Sequence, residues 1–130
     1  MSDFTTELGI RDSSPEETDR PGQDAGKALT VEARHLNVNG TLHGGVMATI
    51  LDTTMGDAVR ASLEEGQDTA TVSMTVTYLG PAKEGDELRS SAEVRKRGGS
   101  LVLVEADLTR PEDDTAIAHA VAAFTILPSD

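Results

Sequence analysis

The sequence contains one long helical segment and several stretches that alternate between apolar and polar residues. A single helix with several strands is compatible with few folds. From Gly44 to about Glu65 apolar residues recur on a broad arc at about 100° per residue, and Gly66 is the natural stop. An arc this wide predicts a helix that is embraced by a sheet. Its apolar members are Val46, Met47, Ile50, Leu51, Met55, Ala58 and Ala61.

Alternating segments on both sides of the helix predict strands. Gly98-Gly99 predicts a hairpin between two of them, and a polar turn separates the last two. One helix and a mainly antiparallel sheet of five to six strands make an α+β layer architecture. A single helix covers only one face of such a sheet, so the other face or an edge is expected to need a partner chain. The predicted strands are residues 28–36, 68–82, 86–97, 100–110 and 115–127.

The N-terminal part of the chain differs in composition from the rest. Residues 11–27 are rich in Asp, Glu, Ser, Pro and Gly, cannot bury apolar surface, and predict a mobile acidic loop. The residues before it, 4–10, suit a short helical turn and the start of a strand. We therefore divide the 130-residue chain into an N-terminal segment, 1–27, and a single domain, 28–130.

Composition excludes several classes of protein. The chain has no cysteine, and the histidines at 35, 43 and 119 have no metal-like spacing, so we expect neither metal nor other cofactor. His119, on an apolar strand, is expected to have a buried structural role. The net charge of −12 argues against nucleic acid. No apolar run is long enough to cross a membrane and no signal peptide is evident, so we expect a cytoplasmic protein.

His43-Gly44-Gly45 opens the helix and has a chemical meaning of its own. The first turn of a helix presents backbone N–H groups without internal partners, and glycine lets a substrate atom come close to them. The two glycines are therefore typical of a site for an anion or a polarised carbonyl. Close packing of the helix against the sheet explains them equally well.

Asp52 lies at the edge of the apolar arc, where a carboxylate can be a general base, a nucleophile or a plain solvent-facing acid. It follows Gly44 by eight residues, which is about 12 Å along one helix axis. A small reacting carbonyl cannot touch both groups. If they act together, Asp52 must come from the same helix of a second subunit, which predicts a two-fold dimer with composite active sites.

The sequence also resembles a known family. The stretch N-x-x-G-T-L-H-G-G at 37–45, then Asp52, and the stretch 76–108 are similar to hotdog-fold acyl-CoA thioesterases. The subgroup is the phenylacetate-degradation (PaaI-like) type, related to the 4-hydroxybenzoyl-CoA thioesterases, and the similarity covers about residues 29–127. It implies a hotdog fold, in which a sheet wraps a long central helix, and hydrolysis of an acyl-CoA thioester to a free acid and coenzyme A.

The resemblance implies a role for each residue that matches the family motif. Asp52 matches the carboxylate that attacks the thioester carbonyl or activates water, and Gly44 matches the glycine whose N–H polarises that carbonyl. Asn37 matches an asparagine that hydrogen-bonds near the thioester or the attacking water. His43 matches the motif histidine, which orients the loop. Thr71 is at, or one residue from, a Ser or Thr that positions water.

Substrate binding needs further contacts. Gly45, beside Gly44, is expected to lie against the substrate. Coenzyme A brings several negative charges, and Arg95, Lys96 and Arg97 form the only dense basic cluster, at the predicted hairpin tip. Strand alternation would place the two arginines on one face and Lys96 on the other. These residues either contact phosphate or only keep the hairpin in solution.

Three functions remain open on the sequence alone. The first is a thioesterase for a small-molecule acyl-CoA with an aryl, phenylacetyl or short-to-medium acyl group. The second is a hotdog dehydratase or hydratase, although those enzymes use His with Asp or Glu in other motif contexts. The third is a non-catalytic acyl-CoA binding protein, which would not need Asp52. Since the family often pairs dimers into tetramers, the expected assembly is a homo-oligomer, a dimer of dimers.

Overall fold

The long helix α2, Gly44–Ala61, lies against one face of an antiparallel sheet. This computed structural model describes residues 3–13 and 26–128. Within those ranges the sheet has six strands, and α2 is the element that fills its concave side. The other elements, in chain order, are α1 (Asp3–Glu7), β1 (Arg11–Asp12), β2 (Lys27–Thr30), a 3₁₀ turn (Ala33–His35), β3 (Gln67–Tyr78), β4 (Glu87–Arg97), β5 (Leu101–Arg110) and β6 (Thr115–Pro128).

The sheet has the strand order β1-β2-β4-β5-β6-β3, and every neighbouring pair is antiparallel. Its two edges differ, because β3 has 12 residues whereas β1 has two. The predicted α+β class and the hotdog arrangement, in which a curled sheet wraps one helix, are confirmed. In the described part of the chain no helix is long and apolar enough to cross a membrane.

The apolar arc of α2 forms the centre of the core. Met47, Ile50, Leu51 and Met55 are each at most 5% exposed, as their spacing predicts. The helix ends at Ala61, four residues before the predicted end. The reason is Ser62, whose backbone N–H and hydroxyl both donate to the Val59 carbonyl, at 2.9 and 2.6 Å.

The prediction of a strand over residues 28–36 is wrong in its second half. Strand β2 ends at Thr30, and the chain then turns into the 3₁₀ segment. His35 causes the turn: its Nδ1 accepts from the Glu32 N–H at 2.9 Å, and its Nε2 lies 2.6 Å from the Leu8 carbonyl oxygen. A buried side chain with two hydrogen bonds holds the backbone out of the extended conformation.

The N-terminal segment is connected to the rest of the fold through Lys27. Of the predicted mobile loop, Arg11–Asp12 form β1 and Lys27 opens β2, whereas residues 14–25 lie outside the described residues. The Lys27 ammonium pairs with Asp12 and, at 2.9 Å, with Asp57 of α2. Burial alone lowers the pKa of Lys27, but the two carboxylates outweigh it and leave the pKa above its usual value.

A pair of buried hydroxyls joins α2 to the sheet. Thr54 and Ser90 are each 4% exposed, and their side-chain oxygens are in hydrogen-bond contact. Thr54 Oγ1 also donates to the Ile50 carbonyl at 2.7 Å, and Ser90 Oγ accepts from the Lys27 N–H at 3.1 Å. Because buried polar atoms are costly without partners, this contact favours one rotation of the helix over the sheet.

His119 is not buried, contrary to the prediction. Its neighbours on β6, Ala118 and Ala120, occupy the helix side of the sheet, so the imidazole projects from the outer face and its side chain is 36% exposed. There its Nδ1 lies 2.7 Å from Asp107 Oδ1, and its Nε2 lies 3.7 Å from Glu105 Oε2.

Candidate active site

Asp52 lies on the side of α2 that its own sheet leaves open, and its side chain is half-buried. The hydroxyl of Thr71 on β3 donates to Asp52 Oδ1 at 2.7 Å. The two residues are 19 positions apart in the sequence, and the edge strand β3 brings them together. Thr71 itself, rather than a neighbour, therefore contacts the carboxylate.

Asp52 and Thr71 line a cavity of about 650 Å³. Its walls come from α2, β3, β6, the short helix α1 and Lys27 of β2. Apolar groups and threonine hydroxyls make up most of the wall beside the carboxylate, which is the kind of surface that accepts a non-ionic organic group. The apolar lining residues are Phe4, Ala48, Gly56, Ala70, Met74 and Phe124, and the threonines are Thr5, Thr49, Thr53, Thr69 and Thr71.

The charged groups at the other end of this cavity neutralise one another. Asp57 contacts Lys27 at 2.9 Å and Arg60 at 3.4 Å, and Arg60 also contacts Asp68 at 3.3 Å. The Thr69 N–H and then Arg60 hold the pKa of Asp68 below its usual value. The cations in this wall thus already have carboxylate partners.

The first turn of α2 leaves one backbone donor available. His43 is the N-cap, and its Nδ1 accepts from the Gly45 N–H at 2.8 Å. The His43 carbonyl accepts from the next two N–H groups, those of Val46 and Met47, at 3.0 and 3.3 Å. Within the described residues the Gly44 N–H has no acceptor. Gly45 was predicted to lie against the substrate, and its N–H is bound by His43.

Asn37 organises the loop that leads to the helix. Its Oδ1 accepts from the backbone N–H groups of Asn39 at 2.9 Å and Thr41 at 3.3 Å, while its own N–H donates to the Thr41 carbonyl at 2.8 Å. No acceptor among the described residues contacts its Nδ2. A side-chain amide held by its oxygen in this way can still donate one hydrogen bond to a ligand.

The predicted site residues fall into two groups in the single chain. Asp52 and Thr71 line the cavity, whereas Asn37, His43 and Gly44 surround the start of α2 and are not part of its lining. One copy of the chain therefore does not place Gly44 and Asp52 around the same cavity.

The basic cluster is arranged differently from the prediction. A bulge between Val94 and Lys96 interrupts the alternation of β4, so Arg95 and Arg97 do not share a face. Arg95 pairs with Glu93 and Glu105, at 3.3 and 3.5 Å.

The two remaining basic side chains also diverge. Arg97 donates to the Ser62 carbonyl at 3.2 Å and to Gln67 Oε1 at 3.3 Å, beyond the end of α2. Lys96 is exposed and contacts no carboxylate within the described residues. Lys96 is thus the cation of the three that is not already engaged.

Tyr78, which falls within the predicted strand 68–82, lies beside the helix start. Its hydroxyl donates to the Gly44 carbonyl at 3.2 Å. Atoms of its ring lie 3.3 Å from the position that a Cβ on Gly44 would occupy. The residue stands inside the stretch that carries the family resemblance, but strand alternation gives no signal for a contact 34 residues away.

The described residues contain no group of three or more His, Cys, Asp or Glu side chains arranged to hold a metal ion. The groups that the Asp52 cavity and the start of α2 present are a carboxylate, hydroxyls and backbone amides.

A curled sheet around one helix, with a carboxylate on the helix and a free amide at its start, defines a class of protein. The chain belongs to the Thioesterase superfamily, whose family model matches residues 39–117. It is 38% identical over 91 residues to acyl-coenzyme A thioesterase 13 of Mus musculus. That match covers 70% of this chain and 64% of the mouse protein, so the chain spans less than two thirds of that relative's length.

Solved structures agree with this assignment. The BH2602 protein from Bacillus halodurans, solved with CoA, is 28% identical, with a TM-score of 0.73 over 78% of this chain and 70% of that one. The E. coli PaaI protein has a TM-score of 0.82 over 97% of this chain and 85% of that one, at 22% identity, and supports the fold. The resemblance to acyl-CoA thioesterases and PaaI is confirmed.

Proposed function

We propose that this protein hydrolyses an acyl-CoA thioester to a free acid and coenzyme A. The observation that carries the proposal is the half-buried carboxylate of Asp52, held by the Thr71 hydroxyl at 2.7 Å beside a cavity of about 650 Å³. Membership of the Thioesterase superfamily supports the same reaction.

The arrangement suits thioester chemistry. Asp52 either takes a proton from the water that attacks the carbonyl carbon, or attacks that carbon itself and forms an acyl anhydride that water then hydrolyses to the free acid. In both routes the C–S bond breaks and coenzyme A leaves as a thiolate that takes up a proton. The Gly44 N–H is the donor for the developing oxyanion, an interaction typically worth about 3 kcal/mol. Asn37 Nδ2 can donate to the thioester or to the attacking water.

A second copy of the chain would complete the site. Strand β3 is a 12-residue edge strand that carries the exposed apolar residues Val72 and Tyr78, and exposed Leu79 follows it directly. A long unpaired edge is a natural place for another strand to pair. A two-fold dimer formed there would set the α2 helices of two copies side by side, so that Asp52 of one could meet Gly44 of the other. The dimer of dimers and the cytoplasmic location stay predictions.

The lining of the cavity favours a substrate whose acyl group is uncharged. Apolar side chains and hydroxyls surround Asp52, and the nearby cations Lys27 and Arg60 already have carboxylate partners. An aryl, phenylacetyl or short-to-medium aliphatic group fits this lining. For the phosphates of coenzyme A, Lys96 is the best candidate, because Arg95 and Arg97 have partners within the protein.

The test is release of free coenzyme A from a panel of acetyl-, butyryl-, octanoyl-, benzoyl- and phenylacetyl-CoA, followed with a thiol reagent. Asp52→Asn should lower kcat at least about 100-fold, the usual scale for losing a general base. The matched control is Asp114→Asn, the same chemical change in the turn between β5 and β6.

Other outcomes would identify the alternatives. Binding of acyl-CoA without thiol release by the wild-type protein would contradict hydrolysis and favour a binding protein. Hydration of an enoyl-CoA with the thioester left intact would favour a dehydratase or hydratase.

A further inference from the structure

The peptide that joins Gly44 to Gly45 is held at both ends. Its N–H, that of Gly45, donates to His43 Nδ1 at 2.8 Å. Its carbonyl, that of Gly44, accepts from the Tyr78 hydroxyl at 3.2 Å. Because the N–H and C=O of a trans peptide point in opposite directions in one plane, two such contacts fix the rotation of that plane.

This peptide needs outside support. Two successive glycines lack the side chains that restrict backbone rotation, and glycine loses more conformational freedom on folding than any other residue. The first N–H groups of a helix also have no intrahelical acceptor to steady them. The orientation of the glycine pair is therefore set by the first helical hydrogen bonds together with the side chains that contact the pair from outside.

Tyr78 contacts the pair from the sheet. It is the last residue of β3, where it pairs with Ala118 of β6, and the next residue is tied by the Leu79 N–H to the Ile117 carbonyl at 2.9 Å. Its ring packs where Gly44 lacks a side chain: Cε1, Cζ and the hydroxyl oxygen each lie 3.3 Å from the position of an added Cβ. Glycine at 44 thus makes room for the tyrosine as well as for a substrate.

We propose that Tyr78 is a positioning residue, which together with His43 holds the Gly44–Gly45 peptide and so fixes the position of the Gly44 Cα. The Gly44 N–H belongs to the preceding peptide, whose carbonyl is bound by Val46 and Met47, and it is directed at the reacting carbonyl only when Gly44 is held in this place. This rests on the proposed thioesterase function only for what the N–H does, since the contacts themselves involve no substrate. Tyr78 acts through the helix start and takes no part in proton transfer.

The main test removes the hydroxyl and keeps the ring. Tyr78→Phe should lower kcat about three- to tenfold, the scale of one hydrogen bond, with KM nearly unchanged. Thr77→Val is the matched control, because it deletes an exposed hydroxyl one position away on the same strand. Equal kcat for Tyr78→Phe and the control would overturn the proposal, as would a fall caused only by lower thermal stability.

A second readout does not depend on activity. Amide hydrogen exchange by NMR should show the Gly45 N–H exchanging faster in Tyr78→Phe than in the wild type, because the peptide then has one restraint fewer and its N–H opens from His43 more often. Unchanged exchange at Gly45 would contradict the proposal even if activity fell. Faster exchange in a protein that releases no coenzyme A would uphold the positioning role and overturn the proposed function.

A double-mutant cycle with His43→Ala completes the test. Since His43 and Tyr78 hold the same peptide, their effects on kcat should be non-additive, the second substitution costing less than it does alone. Fully additive effects would mean that the two side chains act on different groups.

Discussion

Thr71 controls how Asp52 presents its carboxylate. The Thr71 hydroxyl occupies Oδ1 at 2.7 Å, and Oδ2 has no partner within the described residues. A carboxylate fixed through one oxygen offers the other to water or to a carbonyl carbon in a defined direction.

We predict that Thr71→Val lowers kcat about tenfold, since it keeps the shape of the side chain and removes one charge-assisted hydrogen bond. Thr71→Ser should restore most of the rate. Steady-state kinetics on the best acyl-CoA of the panel measure both, with Thr75→Val, on an exposed position of the same strand, as the control. A Thr71→Val protein with the wild-type rate would show that Asp52 needs no such restraint.

Single residues also show where sequence reasoning stops. Asp52 and Thr71 could be named from the family motif, but nothing in the spacing of the chain predicts their contact. Tyr78 was missed as a neighbour of Gly44 because that contact depends on how β3 lies along α2. The divergence of Arg95 and Arg97 depends on a bulge, and one inserted residue defeats any argument from alternation.

At the scale of elements, α2 combines a buried side with a side open to the cavity. Gly56 lies one turn after Asp52 and faces the cavity. A Cβ added there would lie 3.5 Å from Arg60 Nη1 and 3.7 Å from Phe124 Cε2, which are ordinary contacts. The missing side chain is therefore not required by packing, and it leaves the cavity wider.

We predict that Gly56→Ala stabilises the fold by up to about 1 kcal/mol, the helical preference of Ala over Gly, and narrows the acyl pocket. The kcat/KM for phenylacetyl-CoA should fall severalfold relative to acetyl-CoA. Thermal unfolding and the acyl-CoA panel measure the two effects. Gly99→Ala, where nothing lies within 4 Å of the added methyl, is the control for activity. An equal loss for every acyl group would contradict a role in acyl size.

Long elements were predictable, and their ends were not. The start of α2 follows from His43-Gly44-Gly45 and the apolar arc, but its end depends on Ser62, whose hydroxyl caps the last turn before Gly66 is reached. The prediction of a strand over 28–36 is wrong after Thr30, because the alternation of apolar and polar residues gives no information on the hydrogen bonds of His35 to Glu32 and Leu8. Strand β1, with two residues, is too short to show any period.

For the molecule as a whole, the separation of Gly44 from the Asp52 cavity is the observation on which the proposed composite dimer rests. In a composite dimer each site takes the amide from one copy and the acid from the other. A hybrid of two differently defective copies then has one site with both defects and one with neither.

We predict that Asp52→Asn and Gly44→Ala proteins, each nearly inactive alone, regain activity when they are unfolded together and refolded as a mixture. Random pairing should restore about a quarter of the wild-type rate, since half the dimers are hybrids with one intact site of two. The controls are each variant refolded alone. A mixture no more active than the mean of its parts would contradict the shared site.

The buried contact between Thr54 and Ser90 has a consequence for how such a chain can diverge. Apolar side chains in a core can be exchanged for one another, but two buried, hydrogen-bonded hydroxyls between helix and sheet keep α2 in one orientation relative to the sheet. Asp52 lies about half a helical turn before Thr54. Substitutions can therefore accumulate in the apolar core during evolution while the Asp52 carboxylate keeps its direction.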